Sequence, residues 1–345
     1  MANVNKQLLA FFKSEVALTE ATKSAMRDRR HSCEERLERG LEKSRKPKVD
    51  RFVKQGSYAM HTMVQSNSIT SDIDNGAVFH EDKLVGDRGG KFTAYDAKCM
   101  VRDALNYDNT FERAPEVLKN CVRVFYKDGF TIDMPVYREI GEGDDATYEL
   151  AAADWKYSDP EAVTEWFQKN VTQKSPDAVD GRQMRRMVRL LKSWSKSRAC
   201  WSLPSGFVLS ILTNEVYPYG GYPDREDHAL YQTVQQMHNR LRGNLTVNRP
   251  VLQYEEVTKT ASDANMVNLR DKLNEAIGRL APLGDAKATD AEALKALKWF
   301  FCTDYFDEEI ESLEDAAKTS AKFVSAESRQ PSGPVVKSGG EGRYA

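Results

Sequence analysis

The stretch Asp72-Ile73-Asp74-Asn75-Gly76-Ala77-Val78-Phe79 decides how the chain is read. On a strand, residues two apart project from one face. Asp72 and Asp74 therefore stand side by side, while Ile73 turns back toward a core. Two such carboxylates repel strongly in a low dielectric unless cations neutralise them. Further on, Phe130-Thr131-Ile132-Asp133-Met134-Pro135-Val136-Tyr137 sets a third aspartate between apolar neighbours, in a strand that can lie beside the first. The run Cys121-Val122-Arg123-Val124-Phe125-Tyr126 precedes it, joined by Lys127-Asp128-Gly129. Asp-Gly between two alternating runs is a hairpin signal.

Working outward, the pattern is helical on both sides of this strand-rich region. Lys6 to Lys46 reads as one long helix with a single break. Leu8, Leu9, Phe11, Phe12 and Val16 form its early apolar face, and Met26, Cys33, Leu37 and Leu41 continue it. The charged runs at residues 27–30 and 34–39 read as its solvated surface. A further helix is expected around Thr93 to Leu105. From Ser158 the chain is mainly helical. Ser158-Asp159-Pro160-Glu161 is a helix start. A second helix is expected from Asp180, with Gln183 completing a capping box. A third begins near Pro204, and others fit Asp263 to Leu280 and Asp290 to Phe301. The expected organisation is a sheet lobe with its N-terminal helix over residues 1–150, a helical lobe over 151–319 and a flexible tail over 320–345. The tail is rich in Gly, Ser, Pro and charge.

Composition narrows the function. The 345 residues carry 40% hydrophobic side chains and a net charge of -2, so a dedicated duplex-binding protein with a basic excess is disfavoured. No apolar run approaches the roughly 18–20 residues needed to cross a bilayer, and the N-terminus lacks the features of a signal peptide. A cytoplasmic, membrane-free protein is expected. The five cysteines are scattered without a Cys-x-x-Cys, which reads as reduced thiols.

The chemistry concentrates in Gln55-Gly56-Ser57, Asp72, Asp74 and Asp133. Three acids on one sheet face suit hard cations, magnesium first. Such a face can hold two ions about 4 Å apart for in-line phosphoryl transfer. Gly56 admits close backbone approach to a phosphate, and Ser57 adds a hydroxyl. Arg185, Arg189, Lys192 and Lys196 form one basic stripe at helical spacing. On spacing alone the stripe reads as a solvated face; opposite the acids it would also suit a triphosphate. His61, the cluster Tyr217 to Tyr222 and Asn248-Arg249-Pro250 are weaker candidates. The tyrosines read first as a packed cluster.

These motifs resemble the polymerase-β-like nucleotidyltransferases and, more closely, the bacterial cGAS/DncV-like nucleotidyltransferases, the cyclic-oligonucleotide synthases of anti-phage signalling. Gln55-Gly56-Ser57-Tyr58 resembles the Gln-Gly-Ser-aromatic of the DncV-like branch. Asp72-Ile73-Asp74-Asn75-Gly76 resembles its Asp-Ile-Asp-Asp-Gly, with Asn75 in place of an acid. Residues 132–137 resemble its third-aspartate strand. Ser158-Asp159-Pro160 and residues 183–194 match further pieces in the family's order. The likeness is close over residues 51–207 and looser beyond. Met60 stands where the branch carries an aromatic, which leaves base preference open.

The resemblance implies an α+β, polymerase-β-like two-lobed fold, with a mixed twisted sheet lobe, a helical lobe and an active-site cleft between them. It implies Asp72, Asp74 and Asp133 as catalytic metal ligands, with Gln55, Gly56, Ser57, Arg123, Lys192 and Ser205 as nucleotide contacts. Two Mg2+ ions are implied, with Mn2+ as a substitute. ATP and GTP are the implied substrates, with no nucleic-acid template, and cyclic GMP-AMP is the implied product. A ubiquitin-transfer-like partner acting on the C-terminal tail is also implied. Alternatives at this point are another cyclic dinucleotide or a cyclic trinucleotide, a linear-product nucleotidyltransferase, and a non-catalytic nucleotide-binding regulator.

Overall fold

The computed structural model describes residues 2–65, 71–86, 89–127, 129–252, 255–258 and 262–327. Its centre is the strand β2 (Ser71–His80), which carries Asp72 and Asp74. β1 (Arg51–Gln55) runs antiparallel to it, and β5 (Phe130–Met134) runs parallel. The expected strand from Phe130 to Tyr137 is interrupted at Pro135, which has no N–H to give a ladder. The Pro135 carbonyl accepts from Ala77 N at 2.8 Å, and the chain resumes alongside β2 as β6 (Val136–Ile140). β3 (Glu116–Val117) and β4 (Val122–Phe125) extend one side of the sheet. β7 (Thr147–Ala151) and β8 (Trp155–Tyr157) extend the other. β4 and β5 form the expected hairpin, although Asp128 of its turn lies outside the described residues.

Two cores divide the molecule. The first packs α2 (Glu20–Lys43) and α4 (Ala94–Leu105) against the sheet through Met26, Leu37, Ile73, Val101, Val124 and Ile132. Thr93 and Asp96 close a capping box at the start of α4. The second core is helical. It gathers α5 (Ala162–Lys174), α6 (Gln183–Lys196), α7 (Gly206–Val216), α8 (Glu226–Gly243), α9 (Ala264–Arg279) and α10 (Asp290–Phe301). Among the described residues, no helix is long and apolar enough to cross a membrane.

The lobes do not divide where the sequence placed them. α1 (Asn5–Phe11) and the turn through Val16 belong to the helical core. Phe11 packs on Phe301 and Phe306, with ring centroids 4.6 and 5.2 Å apart. Val4 N donates to the buried Asp227. The N-terminal segment therefore spans both lobes, and of its helices only α2 packs on the sheet. The sheet also runs past residue 150, through β8. The C-terminal helix α11 (Asp307–Glu327) continues through the residues expected to open the tail at 320; residues 328–345 lie outside the described part.

The charged face of α2 is not wholly solvated either. Arg30 and Glu34 are buried, because Glu34 accepts from Arg30 and from Asn75 Nδ2, the latter at 2.9 Å. Asn75 is fully buried on the sheet face opposite the aspartates. Asp180 does not cap α6. Its place is taken by Asp177, which accepts from Gln183 N at 3.0 Å. The Gln183 side chain instead donates to Tyr222 O and Glu226 in a buried polar network.

Candidate active site

Strand register assembles the acids. Asp74 on β2 is the direct partner of Asp133 on β5, and Asp72 is the partner of Thr131. Asp133 is in turn the partner of Arg123 on β4, and Asp74 the partner of Gln55 on β1. Gln55, Asp74, Asp133 and Arg123 thus form one row across four adjacent strands. Ile73 and Ile132, on the other face, are completely buried and fix that register.

The charges in this row are unevenly compensated. Arg123 Nε reaches Asp133 Oδ1 at 2.6 Å and its terminal nitrogen reaches Oδ2 at 2.7 Å, a bidentate pair. That bond holds the Arg123 guanidinium above its ordinary range. Thr131 donates to Asp72. Among the described residues, Asp74 has no such partner. Burial, then repulsion from Asp133 and Asp72, pushes its carboxyl up to about 6. A carboxylate under this pressure, on a face with two others, offers hard oxygen donors suited to a divalent cation such as magnesium. Among the described residues, no three acid, imidazole or thiol side chains are yet drawn into a ready ligand set. Arg123 and Thr131 engage two of the three acids.

β1 ends in Gln55, and the chain turns at once into the short helix α3 (Gly56–Ala59). Gly56 makes that turn at φ +60°. Gln55 Nε2 donates to Tyr137 Oη at 2.9 Å and to the Pro160 carbonyl at 3.2 Å. Gly56 and Ser57 open onto a cavity of about 640 Å³ that also takes in Asp72 and Asp74. Lys192 and Ser205 line the same cavity from the helical lobe. Ser205 caps α7, with its hydroxyl accepting from Val208 N, so the positive end of that helix opens here. Lys192 Nζ donates to Thr62 Oγ1 at 2.7 Å and Thr62 O at 3.2 Å. Burial, helped by Lys196 and Arg189, pulls its ammonium down to about 7.

The structure therefore brings Gln55, Gly56, Ser57, Asp72, Asp74, Lys192 and Ser205 to one cavity. Asp133 lies beside Asp74 in the sheet. Arg123 lines a neighbouring cavity, of about 860 Å³, that shares Asp72. Two further members of the basic stripe are engaged elsewhere. Arg185 donates to Met60 O at 3.0 Å and Arg189 to Met63 O at 3.1 Å. These bonds satisfy backbone carbonyls of the loop after α3. His61 lines a different cavity with those two arginines, which together with burial lower its pKa. Tyr217 is buried and donates to Gln183, and it packs edge-on against Tyr222. Arg249 does line the main cavity, as do Trp201 and Phe207, which sequence reasoning did not single out. Neither aromatic sits in a motif, so only their position reveals them.

Residues 50–137 match the family described as cyclic GMP-AMP synthase DncV-like, nucleotidyltransferase domain. A cyclic GMP-AMP synthase from Escherichia albertii is 29% identical over 211 residues, covering 58% of this chain and 44% of the relative. The chain thus spans less than half the length of that curated relative. The CD-NTase CdnG of Bradyrhizobium diazoefficiens, solved with GTP, superposes with a TM-score of 0.67 at 13% identity, over 91% of this chain and 99% of that one. Vibrio cholerae DncV, a cyclic AMP-GMP synthase solved with nonhydrolyzable GTP, gives 0.68 at 15% identity, over 90% and 98%. These structures share the two-lobed fold. Residues 50–137 thus match a DncV-like nucleotidyltransferase domain, and the chain as a whole has the fold of these CD-NTase structures.

Proposed function

We propose that this chain joins ATP and GTP into a purine cyclic dinucleotide, cyclic GMP-AMP, by nucleotidyl transfer with release of pyrophosphate. The observation that carries the reading is the placement of Asp72 and Asp74 across one cavity from Lys192 and the start of α7. Acids on one wall and a cationic, helix-N-terminal wall opposite suit a metal-bound triphosphate.

In this mechanism Asp72, Asp74 and Asp133 hold magnesium, for which manganese can substitute. When bound, the metal would supply charge neutralisation at the phosphates and a lowered pKa at the acceptor's ribose hydroxyl. The chain's own residues do the rest. Gly56 and Ser57 present backbone and hydroxyl to the phosphates. Lys192 and the α7 N-terminus bind the triphosphate from the other lobe. Lys192 is held at 5% exposure by Thr62 and Gly206, so it meets the phosphates with little freedom left to lose. The acceptor oxygen bonds to the donor α-phosphorus, the bond to pyrophosphate breaks, and a second transfer closes the ring. A cytoplasmic role in anti-phage signalling, and a ubiquitin-transfer-like partner acting on the C-terminal tail, follow from the same family reading.

The test is the product of ATP and GTP with the purified chain and magnesium. Pyrophosphate release with a product that phosphatase leaves unchanged, at the mass of a cyclic dinucleotide, is expected. A product that loses terminal phosphates means linear synthesis. No pyrophosphate release with any nucleotide pair overturns the reading.

A further inference from the structure

Arg123 occupies both oxygens of Asp133, at 2.6 and 2.7 Å. A carboxylate so engaged has given one lone pair on each oxygen to an N–H, and the guanidinium charge beside it repels an incoming cation. We propose that Arg123 is an exchangeable latch: in the nucleotide-free chain it keeps divalent metal from Asp133, and an arriving nucleoside triphosphate draws the guanidinium away and opens that carboxylate. The inference rests on the nucleotidyltransferase reading above and concerns how its metal site is assembled.

Three features of the fold support exchange rather than a permanent structural pair. The first is reach. Arg123 and Asp133 are register partners on adjacent antiparallel strands, so the pair forms whenever nothing stronger competes. The second is room. The Arg123 side chain is 31% exposed and lines the cavity of about 860 Å³ that also contains Asp72. It can leave Asp133 without breaking into either core. The third is chemistry. A guanidinium does not lose its proton in a protein, so Asp133 is released only when Arg123 finds another anion. A triphosphate, with about four negative charges and pairs of oxygens that accept both N–H groups of the fork, is a better partner than one carboxylate. The acid that would activate the acceptor hydroxyl then becomes available only after a nucleotide has bound.

The experiment measures Mn2+ binding to the nucleotide-free full-length chain by electron paramagnetic resonance. Arg123→Gln is expected to bind Mn2+ about tenfold tighter than wild type, a coupling within the usual range for linked sites. Arg123→Lys keeps the charge but cannot clamp both oxygens, so its affinity falls between the two and guards against a folding defect in the first variant. Adding Asp133→Asn is expected to erase the gain of Arg123→Gln. Arg113→Gln removes a charge from the same cavity without touching Asp133, and is expected to bind Mn2+ like wild type. Equal or weaker binding by Arg123→Gln, or an equal gain from Arg113→Gln, overturns the latch while leaving the enzyme reading intact. Mn2+ binding that survives Asp72→Asn with Asp74→Asn places the metal elsewhere and overturns both.

Discussion

Gly56 approaches Asp74 so closely that a Cβ on residue 56 would stand 2.1 Å from Asp74 Oδ2. Its φ of +60° is also unfavourable for any side chain. Gly56→Ala therefore meets both strain and a clash with a proposed metal ligand. A stability loss of about 1–3 kcal/mol is expected, together with at least ~100-fold lower activity as the carboxylate is displaced. Thermal unfolding and pyrophosphate release measure the two effects. Full activity in this variant would mean that the turn does not position Asp74.

Behind the acids, Glu34 on α2 accepts from Asn75 Nδ2 at 2.9 Å and from Arg30. All three side chains are buried. The Asn75 amide thus meets a carboxylate that the helix supplies. Asn75→Asp sets a second carboxylate against one arginine. It should destabilise the chain by about 2–4 kcal/mol, read as a shift in the urea midpoint. Adding Glu34→Gln restores one carboxylate per arginine and should recover most of the loss. A double variant no more stable than the single one would show that the three groups are not coupled.

Lys192 gives the site a pH dependence with a definite sign. Its folded-state pKa is pulled down to about 7, below the ordinary lysine value. A bound triphosphate favours the ammonium, so above pH 7 binding must take up a proton. Affinity for a non-hydrolysable ATP analogue should fall by about tenfold between pH 7 and pH 8.5. Lys192→Met should bind weakly with a much flatter profile. A wild-type profile that is flat or rising across this window would remove Lys192 from the phosphate grip. Folding obeys the same linkage. The unfolded chain holds more protons between pH 7 and the ordinary lysine value, so this group's penalty is complete below pH 7 and fades as pH rises through that window.

The parts legible in the sequence were those in which local period and position settle the outcome. Alternation put Asp72 and Asp74 on one face and Ile73 on the other. The Asp-Gly turn paired β4 with β5, and with them Arg123 with Asp133. What stayed hidden depends on partners distant in the chain. The apolar face of Phe11 and Phe12 is visible as a face, yet nothing local says that it packs on Phe301 and Phe306 rather than on the sheet. Arg185, Arg189 and Lys192 share one stripe, and all three reach the loop at residues 60–63. Of these three, Lys192 alone lines the acids' cavity, together with Lys196 of the same stripe, a difference that spacing cannot express.

The three aspartates separate by role. Asp74 is pushed up to about 6 by burial and by its acidic neighbours, so the metal-free chain carries an unrelieved repulsion. Asp72→Asn with Asp74→Asn keeps the side-chain volumes and removes that repulsion. The double variant should be as stable as wild type without metal, or more stable by about 1–3 kcal/mol. Its activity should fall at least ~10³-fold, a barrier increase of roughly 4 kcal/mol. Asp133→Asn should behave differently. It also ends product formation, but it releases Arg123 from its carboxylate and leaves the first two acids in place. Magnesium-dependent binding of a non-hydrolysable ATP analogue should therefore survive in Asp133→Asn and be lost in the double variant. Isothermal titration of each, beside pyrophosphate release by each, makes the comparison. A double variant that still turns over near the wild-type rate would place the chemistry elsewhere in the molecule.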